Sequence, residues 1–253
     1  MRKICIANQK GGVGKTTTAL CIADALIHSN YKVLFLDLDP QCNSTTSYKA
    51  MIDDFETIYD VMNGKCGLLD AVQHTEFGDI VAGDPLLVED ENKFLTKIGG
   101  YNIIKNVLKN AETEDYDFCI MDTPPNLGIY MYNALTAADE VLIPIKAEKF
   151  AIDGLTKLLS TIREIIDNTN PELKISGVLL TCYDRRNKMD NDTWLTLPEI
   201  GEKMDFYIFK NPVRICQAVK QCQALEMSLY EYAGDSNAAE DYINITKQLL
   251  NNN

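Results

Sequence analysis

The sequence predicts an α/β fold, a single domain on a mostly parallel, doubly wound sheet flanked by helices. Three observations point there. Short, nearly continuous apolar runs recur along the chain, the pattern of strands buried on both faces of a parallel sheet. Helical patterns fall between these runs, giving the alternation of βαβ units. The first run, Ile4-Cys5-Ile6-Ala7, is joined to the first helical pattern by a glycine-rich turn. With 253 residues and no Pro/Gly/Ser-rich linker, residues 1–253 read as one domain with a substantial core.

In chain order, the apolar runs place strands at Lys3–Ala7, Lys32–Leu38, Gly78–Ala82, Phe118–Met121, Glu140–Ile145, Ile175–Cys182 and Phe206–Phe209. Helical periodicity fills the intervals at Thr16–Ser29, Thr57–Met62, Ile103–Asn110, Leu127–Ala137, Ile152–Asn168 and Leu197–Met204. Pro40 stops the second strand region. A last helix, Asn237–Leu250, has Asp235 or Ser236 available as its cap, and a polar Asn251-Asn252-Asn253 tail follows.

Composition narrows the function classes. A formal charge of −13 argues against a protein that coats itself in nucleic acid. The acid is uneven, however: Phe206 to Leu225 contains none, only Lys210, Arg214 and Lys220. The eight cysteines are scattered without a Cys-x-x-Cys pair, so they read as buried thiols and no Fe–S cluster is expected. No apolar run approaches the ~20 residues of a membrane span. The chain opens directly on strand-like sequence. Neither a signal peptide nor an N-terminal helix-turn-helix domain is therefore expected, and the localisation expected is cytoplasmic.

The turn after the first strand carries the chemistry. Gln9-Lys10-Gly11-Gly12-Val13-Gly14-Lys15-Thr16-Thr17 puts freed backbone N–H groups and a helix N-terminus around one point, which is a phosphate cradle. Lys15 would reach the β/γ-phosphates and the Thr16 hydroxyl would ligate Mg²⁺. Two departures from the usual P-loop stand out. Gln9 replaces the first glycine, and a second lysine, Lys10, is added.

Two further strands run into carboxylates: Asp37 and Asp39 before Pro40, and Asp122 before Thr123-Pro124-Pro125. In a parallel sheet these strand ends share one edge with the glycine loop. Ligands bind at that edge. Carboxylates there hold Mg²⁺ opposite the loop threonine, usually through water.

Lys10-Gly11-Gly12-Val13-Gly14-Lys15-Thr16-Thr17, Asp37-Leu38-Asp39-Pro40-Gln41 and Asp122-Thr123-Pro124-Pro125 resemble the deviant Walker A, A′ and B motifs of the ParA/MinD ATPases. The resemblance continues through Leu142-Ile143-Pro144-Ile145, Gly154-Leu155 and Gly177-Val178-Leu179-Leu180-Thr181. It implies a P-loop NTPase that binds ATP and Mg²⁺ between two subunits. Gly11, Gly12, Val13, Gly14, Lys15, Thr16 and Thr17 would contact nucleotide. Lys10 would cross to the partner subunit's phosphates, and Asp39 would orient the attacking water. Thr16, Asp37 and Asp122 would serve the metal, and Pro212 would lie against the adenine.

Within that resemblance the favoured branch is a DNA-segregation ATPase. It dimerises on ATP, binds nonspecific DNA through Lys210, Arg214 and Lys220, associates with the nucleoid, and is reset by a ParB-like partner protein. The family's Pro-Arg-Asn-Val-Arg pattern is only partly kept: Val213-Arg214 matches its end, but Pro212 is out of register. The alternative is a MinD-like membrane-positioning ATPase. That requires a basic amphipathic C-terminal helix, and the segment Ile243 to Leu250 has one lysine and no basic face.

Overall fold

The apolar runs become strands because each is covered on both sides. The computed structural model describes residues 1–251; Asn252 and Asn253 of the polar tail lie outside the described residues. Strands β1 (Arg2–Ile6), β2 (Val33–Asp37), β3 (Val72–Thr75), β4 (Gly78–Val81), β5 (Phe118–Asp122), β6 (Glu140–Lys146) and β7 (Lys174–Thr181) form one sheet. Its order is β3-β4-β2-β5-β1-β6-β7. Among the described residues only the edge hairpin β3–β4 is antiparallel.

The helices are α1 (Lys15–His28), α2 (Asn43–Ser47), α3 (Ile58–Asn63), α4 (Leu87–Thr96), α5 (Ile103–Asn110), α6 (Ile129–Ala137), α7 (Ala151–Asn168), α8 (Lys188–Met204), α9 (Gln217–Ala224), α10 (Leu229–Ala233) and α11 (Asn237–Asn251). Strand side chains alternate between two cores. Ile4, Ile6, Phe35, Ile120 and Leu142 pack with Ile22 and Leu26 of α1 and Tyr242 and Ile245 of α11. Cys5, Leu34, Leu36, Met121 and Ile143 pack on the opposite side with residues of α3 to α7. Helices therefore cover both faces, as the fold class requires. No helix among the described residues is long and apolar enough to cross a membrane.

The departures from expectation have local causes. Strand β3 and helices α2, α4, α9 and α10 were not anticipated, and α8 begins well before Leu197. Asn187 caps α8 by accepting from the Met189 amide, and buried Asp190 accepts from the Asp184 amide, so the helix is secured upstream of Pro198.

The expected strand Phe206–Phe209 is not a regular strand. The stretch runs parallel beside β7 through separate contacts: Val178 N to Tyr207 O at 2.8 Å, Phe209 N to Val178 O at 3.1 Å, and Val213 N to Leu180 O at 2.8 Å. Pro212 has no N–H to give such a ladder. Gly177, at φ +148°, lets the segment approach: a Cβ there would lie 2.9 Å from the Tyr207 carbonyl oxygen.

Gly177→Ala is therefore expected to cost about 2 kcal/mol and to lower the unfolding midpoint by roughly 4–8 °C in calorimetry. An unchanged midpoint would show that the close approach is not required.

Candidate functional site

The site forms where β1, β2 and β5 end together. Their register pairs Ile6 with Asp122 and Asp37 with Asp122, so the two carboxylates emerge on adjacent strands beside the loop that leaves β1. Gly12 and Gly14 take left-handed conformations at φ +72° and +82°, and α1 starts at Lys15. The loop is pinned at three points. Asn8 Nδ2 donates to Pro144 O at 2.7 Å, Gln9 Nε2 to Gly154 O at 2.9 Å, and Thr181 Oγ1 to Val13 O at 2.8 Å. Gln9, where the usual pattern has glycine, thus ties the loop to α7.

Lys15 is buried with its ammonium donating to Lys10 O at 2.9 Å. Burial lowers its pKa, while Asp122 and Asp39 oppose that shift. Lys10 forms no ion pair among the described residues. Its aliphatic stem lies against Gly154, where a Cβ would stand 3.3 Å from Lys10 Cε.

Asp37 is wholly buried and both its oxygens are engaged. Oδ2 accepts from Thr45 N at 2.9 Å and Thr45 Oγ1 at 2.7 Å, and Oδ1 accepts from Asp39 N at 3.1 Å. Thr45 Oγ1 in turn accepts from Gly83 N at 2.7 Å. Asp122 is equally buried but less satisfied: Oδ2 accepts from Ser44 Oγ at 2.9 Å, whereas Oδ1 has no hydrogen-bond partner. Burial pushes both carboxyls upward. Asp122 adds to the shift at Asp37, while Thr16, Ser44 and Lys15 pull Asp122 back down.

That orphaned oxygen beside Thr16 fits a divalent cation, since a buried unpaired carboxylate oxygen is otherwise costly. Among the described residues no cluster of three or more His, Cys, Asp or Glu side chains could hold a metal. The fit is therefore to a cation that takes Thr16, Asp122 and water rather than a closed cage. Asp37 is tied to α2 through Thr45, which also holds the Gly83 amide just past the end of β4. Asp39 accepts from Gln41 N at 3.0 Å at the same edge.

Other residues are distributed more widely. Thr17 accepts from Gln223 of α9. Pro212 lines a cavity of about 330 Å³ with Tyr183 and Asn211. Lys210 and Lys220 are exposed.

Arg214 departs from the reading of a free cationic strip. It donates to Asp241 from its backbone N, Nε and Nη2 at 2.7–3.1 Å and from Nη2 to Glu240 at 2.8 Å. The acids come from α11, outside the acid-free stretch. Arg185, which sequence reasoning passed over, is exposed beside Arg214 at a cavity of about 410 Å³. Ser44 and Thr45 were also missed; the hydroxyl run Ser44-Thr45-Thr46-Ser47, starting four residues after Pro40, was their signal.

A strand–glycine loop–helix whose lysine faces the carboxylate ends of two neighbouring strands defines a P-loop nucleoside triphosphatase. Residues 1–175 match the family model described as an AAA domain. The chain is 36% identical over 223 residues to the chromosome partitioning protein ParA of Caulobacter vibrioides, covering 86% of this chain and 84% of that one. It is 32% identical over 252 residues to the sporulation initiation inhibitor protein Soj of Bacillus subtilis, covering 98% of each. A cobyrinic acid a,c-diamide synthase from Mycobacterium smegmatis, solved with bound ATP analog and magnesium, superposes with a TM-score of 0.85 at 30% identity. That match covers 99% of this chain and 94% of the other. The chain belongs to the ParA/Soj family of AAA-domain ATPases.

Thr45→Ala removes a hydroxyl that serves both Asp37 and Gly83. It is expected to lower the urea-unfolding free energy by about 2 kcal/mol, with Thr45→Ser near wild type. Equal stability of the alanine variant would remove Thr45 from the support of Asp37.

Proposed function

We propose that the chain is a partition ATPase in which Mg·ATP drives dimerisation and nonspecific DNA binding, and a ParB-like partner protein stimulates the hydrolysis that resets it. The observation that carries this reading is Lys10, a surplus lysine at the mouth of the phosphate loop without an ion pair among the described residues. A compact ammonium supplied to a neighbouring subunit makes charge stabilisation conditional on dimerisation, as an arginine finger does. Relatives named for chromosome partitioning, aligned over most of the chain, support it.

In this reading the backbone of Gly11 to Gly14 and the side chains of Lys15, Thr16 and Thr17 bind the phosphates. Pro212 and its neighbours take the adenine. Thr16 and Asp122 hold Mg²⁺, whose charge screens the phosphate oxygens, and Asp37 keeps that edge in place. Asp39 orients the attacking water. DNA phosphates meet Lys210, Lys220 and Arg185, while Arg214 holds the strip to α11. The membrane alternative finds less support, because α11 already buries Tyr242, Ile245 and Leu249 in the domain.

Lys10→Ala is expected to abolish ATP hydrolysis and dimerisation while leaving nucleotide binding largely intact, checked by phosphate release and light scattering. Normal turnover would refute the role in trans. Asp39→Ala should accumulate an ATP-bound dimer, and ordinary hydrolysis by that variant would exclude Asp39 from catalysis.

DNA co-sedimentation over a salt series should show binding with ATP only. Six contacts per dimer, from Lys210, Lys220 and Arg185 of each subunit, give a log–log slope of about −5.4. Salt-insensitive binding, or capture by liposomes instead, would overturn the DNA reading.

A further inference from the structure

The helix that starts at the phosphate loop also carries the segment holding Lys220. Three bonds join α9 and α10 to α1. Gln223 Nε2 donates to Thr17 Oγ1 at 2.9 Å, Tyr230 OH to Cys21 O at 3.1 Å, and Ser228 Oγ to Asp24. The first of these ends on a hydroxyl within the loop motif itself, two residues after Lys15.

A threonine hydroxyl has one proton to give and lone pairs to receive. By donating to Thr17 Oγ1, Gln223 occupies a lone pair and leaves the hydroxyl proton for another acceptor. Phosphate oxygens are acceptors only. A phosphate at Thr17 would therefore complete a chain running one way, amide to hydroxyl to phosphate, in which each bond polarises the next. Lys220 lies one helical turn before Gln223, on the same side of α9.

We propose that Gln223 is a positioning residue for nucleotide. It orients the Thr17 hydroxyl toward the phosphates and thereby couples the placement of α9, with Lys220, to occupancy of the loop. The inference rests on the reading that this loop binds nucleotide. Linkage makes the coupling reciprocal: bound nucleotide tightens α9, and a docked α9 tightens nucleotide.

The test uses the full chain without DNA, with Mg·ADP as the probe. Calorimetric titration gives affinity, and hydrogen exchange reads residues 217–224 with and without saturating Mg·ADP. In the wild type, nucleotide should slow exchange across α9. Because Gln223 is exposed, its variants should fold with unchanged unfolding midpoints in the absence of nucleotide. Gln223→Ala should bind Mg·ADP about threefold more weakly and lose the nucleotide-dependent protection.

Gln223→Glu keeps the shape but reverses the bond, because a carboxylate takes the Thr17 proton away from the phosphate. It should bind at least ~10-fold more weakly. A Gln223→Glu variant that binds as wild type does would reduce Gln223 to packing and overturn the proposal. So would wild-type exchange in α9 that ignores Mg·ADP. Failure of the wild type to bind Mg·ADP would remove the nucleotide reading as well, whereas normal wild-type binding with indifferent variants removes only the role of Gln223.

Discussion

Two carboxylates buried side by side on neighbouring strands set the terms for the rest of the structure. The pairing of β2 with β5 places Asp37 opposite Asp122, and both are fully buried. Burial makes each charge costly, and the neighbour of like sign adds to the cost at Asp37. The fold answers this unevenly. Asp37 receives three hydrogen bonds, two of them from Thr45, while Asp122 receives Ser44 on one oxygen and nothing on the other. The deficit is thus concentrated on one atom, beside Thr16 and within reach of the field of Lys15. A cation at the loop would relieve it, so the edge that is hardest to bury is also the edge that best fits a cation.

That asymmetry explains what the amino-acid sequence disclosed and what it hid. Runs such as Val33-Leu34-Phe35-Leu36 are legible because burial on both faces removes polar residues from the strand. The site motifs are legible because each is contiguous: the glycine loop follows β1, and the aspartates close β2 and β5. Helix α2 is not legible. Asn43-Ser44-Thr45-Thr46-Ser47 has weak helix propensity and no apolar period, and it forms where its hydroxyls meet buried carboxylates. Strand β3 escaped for a related reason: Gln73 and His74 sit in an edge strand, where period and hydrophobicity are both weak.

Charge patterns read along the chain have a different blind spot. Phe206 to Leu225 is free of acid as a sequence window, yet Arg214 meets Asp241 and Glu240, and the Lys210 amide donates to Gln248. All three partners lie on α11. The stretch beside β7 is therefore held in place by the C-terminal helix, and its cationic character resides in the lysines and the neighbouring Arg185. A guanidinium shared between two carboxylates contributes position more than net field.

The loop itself links its two lysines through one peptide. Lys15 donates to the carbonyl of Lys10, and the Lys10 side chain rests on Gly154 while Gln9 holds the Gly154 carbonyl. A phosphate oxygen is a stronger acceptor for an ammonium than a neutral carbonyl is. In the proposed reading, phosphate at the loop would therefore compete with that carbonyl for Lys15 and free the peptide that carries Lys10. The close approach at Gly154 then matters in its own right. A larger residue would crowd Lys10 where it now rests, so glycine there lets the surplus lysine lie flat on α7.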